Sequence, residues 1–73
     1  MLGGWPDRGT EVRLLRDIRS RDGQLACKGQ KGKVVTSFSA PSAPQRPRDR
    51  FVIDVNGVQV EATRDDLADL YPP

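Results

Sequence analysis

Apolar and polar residues alternate in several stretches of this chain, and the alternation is sharpest between Phe51 and Ala62. There Phe-Val-Ile-Asp-Val and Val-Gln-Val-Glu-Ala flank Asn56-Gly57. A two-residue turn between right-twisted strands needs positive φ at both positions, which Asn and Gly adopt at low steric cost. The spacing therefore predicts a β-hairpin with Val55 opposite Val58, Ile53 opposite Val60 and Phe51 opposite Ala62 on a core face. Val52, Asp54, Gln59 and Glu61 fall on the other face.

Glu11-Val-Arg-Leu-Leu15 alternates as a first strand, with Val12 and Leu14 inward and Glu11 and Arg13 outward. Leu15 and Ile18 are expected to cover the base of the following loop. From Arg16 to Gln30 the period is lost: Asp22-Gly23 marks a turn, and Leu25, Ala26 and Cys27 form a short apolar clip. So long an excursion either packs down as a loose hairpin or carries a binding function. Gly32 to Phe38 is rich in β-branched residues and reads as the second strand, entered through glycines that permit a bend. Ser39 to Arg50 contains Pro41, Pro44 and Pro47 among small polar residues and arginines, a composition that forms no core and predicts a mobile, cationic loop.

Past the hairpin, Thr63-Arg-Asp-Asp66 matches an N-cap with an acid at the third position, favourable beside the partial positive charge of a helix start. Leu67 and Leu70 point the same way, and Pro72-Pro73 stops the run. A 3₁₀ turn closing one end of the fold, followed by a very short last strand, is expected. The whole predicts an all-β domain over residues 9–73, a small five-stranded barrel with a short C-terminal 3₁₀ or helical turn. Residues 1–8 are read as a flexible leader, with Trp5 either folding back over an open barrel end or standing as a contact aromatic.

With 73 residues, the chain forms one domain and has no room for a deep catalytic cleft. The single Cys27 and the absence of His exclude an internal disulfide framework, a Cys/His zinc site and His-based acid–base catalysis. Cys27 is expected to be a small, semi-buried residue. Asp65, Asp66 and Asp69 are explained by capping and a solvated acidic face, without a metal. Gly29 and Gly32 lack the fuller pattern and following helix of a phosphate loop. Catalytic residues, cofactor and metal are all expected to be none. Neither a signal-like leader nor an apolar span of about 20 residues is present, so the expectation is a cytoplasmic chain with no membrane partner.

The net charge of +2 conceals an asymmetry. Residues 8–50 carry eleven Arg or Lys against four acids, a balance of +7, while residues 51–73 carry one Arg against five acids, a balance of −4. Whether that segregation survives in space depends on how the fold interleaves the strands.

Gly9-x-x-Val12-x-Leu14, Lys28-Gly-Gln-Lys-Gly-Lys-Val-Val35, Val52-x-x-Val55 and the strand running into Asp65-Asp-Leu67 together resemble the SH3-like small barrels, in particular their KOW-type modules. The resemblance covers most of residues 9–70 and implies a binding role, on RNA, ribonucleoprotein or polymerase partners, through loops at one barrel end. It implicates Lys28, Lys31 and Lys33 of the basic turn. A second similarity, in the Val12/Leu14 strand and the Asp-Asp-Leu run, is to the small SH3-like components of larger assemblies such as photosystem I and nitrile hydratase, and implies docking. Val58-Gln59-Val60-Glu61 is similar in its first two positions to the Val-Gln-Ile-Tyr run of plasmid-type dihydrofolate reductase, but Glu61 places a charge where that family has an aromatic residue.

The functional expectation is a small non-catalytic binding module. Its most specific form binds nucleic acid or ribonucleoprotein through Lys28, Lys31, Lys33, Arg46, Arg48 and Arg50, with Trp5 as an additional contact. The alternative is an accessory or adaptor subunit that docks on a protein or on a second copy of itself. If the cations share one face and the C-terminal acids the opposite one, nucleic acid gains; if the signs interleave, docking gains.

Overall fold

A computed structural model describes residues 6–45 and 48–70. Among these the chain is all β apart from one 3₁₀ turn: β1 (Glu11–Leu14), β2 (Ile18–Arg19), β3 (Leu25–Ala26), β4 (Lys31–Phe38), β5 (Arg50–Val55), β6 (Val58–Thr63), the turn Arg64–Asp66, and β7 (Leu67–Asp69). Five strands form an antiparallel sheet in the order β6-β5-β4-β1-β7, and β2 pairs with β3 as a separate two-stranded ladder.

The hairpin has the predicted register, with Val55 opposite Val58, Ile53 opposite Val60 and Phe51 opposite Ala62. Asn56 and Gly57 have φ of 53° and 87°, the double positive φ the turn requires. The Asp54 carboxylate accepts the Gly57 N–H at 2.8 Å, tightening the turn. Val12, Leu14, Val34, Phe51, Ile53 and Val60 fill the inner face. Ile18 and Ala26 of the β2–β3 hairpin join that core, so the hairpin lies over the inner face as a lid on the sheet.

Several expectations are corrected. The main sheet has the five strands expected, and among the described residues the 16–30 excursion packs down as a hairpin of two further short strands outside that sheet. The ladder is not closed into a barrel: β6 and β7 are its two edges. Only the three-residue 3₁₀ turn separates them, and it carries the chain across to pair with β1 instead of folding back on β6. The second strand starts one residue earlier, at Lys31, and Arg50 belongs to β5 rather than to the loop. Ile18 is buried as expected, but Leu15 is exposed rather than covering the base of the loop, and Cys27 is exposed rather than semi-buried. The β1–β2 connection turns Leu15 outward once its N–H is taken by the Asp66 carbonyl.

Gly32 also has a different role from the bend expected of it. A Cβ at this position would lie 2.5 Å from Ile53 Cγ2, 2.8 Å from the Asp54 carbonyl oxygen and 2.9 Å from Val55 Cγ2. The residue is glycine because β5 side chains occupy the space over β4.

Candidate functional site

The pleat of β4 turns Gly32 and Val34 inward and Lys31 and Lys33 outward. Register then decides what each lysine meets. Lys31 lies directly opposite Arg13 of β1, and Lys33 lies between Glu11 of β1 and Asp54 of β5. Val34 pairs with Ile53 and Thr36 with Val52, leaving Val35 as an extra bulged residue. Backbone bonds from Gly9 N–H to the Val34 carbonyl (2.7 Å) and from Val34 N–H to the Thr10 carbonyl (3.0 Å) hold the incoming chain along β4. They bring Arg8 to the same rim. The result is an open groove of about 820 Å³, lined by Arg8, Glu11, Lys31, Lys33, Thr36 and Asp54 among others.

Its charges alternate in sign. Three cations (Arg8, Lys31, Lys33) and two acids (Glu11, Asp54) line it, and Arg13 of β1 flanks it opposite Lys31. Ion pairs form elsewhere, Arg16–Asp66 at 2.6 Å and Arg21–Glu61 at 3.5 Å, and neither involves this groove.

The remaining predicted residues do not join it. Lys28 sits in the turn before β4, where its N–H donates to Asp17 Oδ1 at 2.7 Å. Arg50 opens β5 opposite Phe38, at the other end of β4 from Lys31. Seven strand steps separate Phe38 from Lys31, about 23 Å at 3.3 Å per residue. Arg48 is exposed just before Arg50. The expected contributions of Arg46 and Trp5 lie outside the described residues. The basic set is thus dispersed over opposite ends of the sheet and does not form one continuous track.

The fold near the 3₁₀ turn is held by one carboxylate. Asp66 Oδ1 accepts from Arg16 Nε at 2.6 Å; Oδ2 accepts from Thr63 N–H at 2.9 Å, Thr63 Oγ1 at 3.0 Å and Arg16 Nη2 at 3.2 Å. Burial pushes the Asp66 carboxyl up, but the bonds from Arg16 and from the Thr63 amide and hydroxyl outweigh it and hold the group below its ordinary range. This acid is committed to structure. A second groove, about 670 Å³, lies between the tip of the β2–β3 hairpin and β6, and Arg21 and Glu61 reach across it. Among the described residues no helix is long and apolar enough to cross a membrane.

Arg8, which lines the groove, and Arg13, which flanks it opposite Lys31, are residues that the linear pattern did not single out. Alternation already turned Arg13 outward; what it did not carry was the register that sets Arg13 against Lys31. No family model, curated protein or solved structure matches the chain.

Proposed function

We propose that the chain is a non-catalytic docking module that binds a protein partner through the outer face of β1, β4 and β5. The interleaving of charge there is the observation that carries this reading: Lys33 is bracketed by Glu11 and Asp54, next to the cationic corner Arg13–Lys31. Alternating signs suit a protein surface of complementary pattern, where they set register and partner choice. A phosphate backbone is negative at every step and meets repulsion at Glu11 and Asp54.

A second reading, nucleic acid or ribonucleoprotein, is favoured by the unneutralised Arg13–Lys31 pair. The two differ in salt response. Six phosphate contacts give a slope of log K on log salt of about −5, whereas contacts from Arg8, Arg13 and Lys31 alone give about −3 at most. The five-stranded sheet, the β2–β3 hairpin over it and the 3₁₀ turn before the last strand also support proposing kinship with SH3-like small barrels and their KOW-type modules, while leaving the partner open.

Affinity capture from native lysate on the immobilised chain, with and without nuclease, combined with sizing of the purified chain, tests the docking reading. A protein partner, or a second copy, that survives nuclease and is lost with Lys33→Glu is the expected result. Retention of nuclease-sensitive material alone overturns it.

A further inference from the structure

Building on the docking reading, we infer that the groove receives an acidic, extended segment of the partner protein, with a carboxylate seated at its edge between Lys31, which lines it, and Arg13, which flanks it. Two like charges directly opposed on neighbouring strands are unfavourable. Here both side chains are exposed and face each other in register. Neither belongs to an ion pair among the described residues. Glu11, two residues before Arg13 on the same face of β1, is opposite Lys33 instead. Threonine or glutamine at either position would keep the strand and remove the repulsion.

A carboxylate between the two cations reverses the sign of this arrangement, because each then attracts the same group and the guanidinium offers it a two-pronged donor. Lys31 and Lys33 project two residues apart, about 6.6 Å along the strand. An extended peptide presents alternate side chains at the same repeat, so acids two residues apart in the partner meet the Arg13–Lys31 corner and then Lys33. The carboxylates of Glu11 and Asp54 limit how many negative charges the groove tolerates, which favours spaced acids over a continuous polyanion. Bulged Val35 and Thr36 line the far end of the groove and offer it a less charged wall.

The test is an amide-shift NMR titration of the full chain with a peptide of glutamates two residues apart between threonines. A lysine-for-glutamate version of the peptide and a uridine oligonucleotide serve as the other arms. Saturable shifts at Arg13, Lys31 and Lys33 with the glutamate peptide, weakened about tenfold or more by Arg13→Glu or Lys31→Glu and unchanged by Arg48→Glu, support the inference. Lys31→Thr should at the same time raise Tm by about 1 to 4 °C, because it relieves the repulsion. Absent shifts, shifts elsewhere, tighter binding of the oligonucleotide, or a lower Tm for Lys31→Thr each overturn it. If the peptide fails while a captured protein is still lost with Lys33→Glu, the acidic segment falls and the docking reading stands.

Discussion

Removing the Asp66 carboxylate should unlock the end of the sheet where β1, the 3₁₀ turn and β7 meet. In Asp66→Ala the Thr63 N–H loses its acceptor and Arg16 its partner, while the side chain replaced is only 11% exposed. Loss of a cap costs about 0.5 to 2 kcal/mol. The Arg16 bonds add less than buried charged bonds do, about 1 kcal/mol, because the Arg16 side chain is 58% exposed and screened by water. The expected loss is about 1.5 to 3 kcal/mol, a large share of the stability of so small a domain. At about 4 to 8 °C per kcal/mol it lowers Tm by roughly 6 to 24 °C.

The pH dependence follows from the direction of the Asp66 shift. The folded-state pKa is depressed, so the contribution is fully present above the unfolded value, about 3.9, and is lost as pH falls through the folded value. Urea unfolding of wild type and Asp66→Ala from pH 7 to pH 2 should show a gap that is constant down to about pH 4 and then narrows. A gap below about 0.5 kcal/mol at pH 7, or one that does not narrow in acid, refutes the assignment of Asp66 as the lock.

Gly32→Ala should destabilise by about 1 to 3 kcal/mol through overpacking against Ile53 and Val55, read by denaturant midpoint; a neutral result contradicts the close approach seen there. Gly57→Val should cost at least about 1 kcal/mol by forcing a β-branched residue to a φ of 87°, measured by thermal unfolding. Phe51→Ala, at a site 1% exposed, should cost about 3 to 5 kcal/mol and leave the domain largely unfolded by circular dichroism at 37 °C. Arg21→Ala should change stability by less than about 0.5 kcal/mol, since its pair with Glu61 is long and solvated.

The hairpin was legible residue by residue because an Asn-Gly turn fixes register, and register fixes every facing pair that follows. The acid at the third position after Thr63 was legible for the same local reason, and the structure returns its bond to the Thr63 amide. Long-range pairing was not: nothing in the Glu11–Leu14 pattern says which residue of β4 it faces, so the Arg13–Lys31 corner emerges only from the assembled sheet. Arg16 pairs with an acid fifty positions away, a contact with no local signature. The open ladder was missed because alternation predicts strands and faces but not whether the first and last strands meet. Lys28 and Arg50 looked like one basic set along the chain, and the length of β4 separates them.

Docking through the outer face of β4 is tested most directly by placing a photo-crosslinking residue at Thr36, inside the groove, and separately at Gln59 on β6, outside it, then irradiating in native lysate. The account predicts a protein adduct from position 36 that resists nuclease, disappears with Lys31→Glu, and is absent from position 59. An adduct formed from position 59 but not 36, or one from position 36 that nuclease removes, contradicts it.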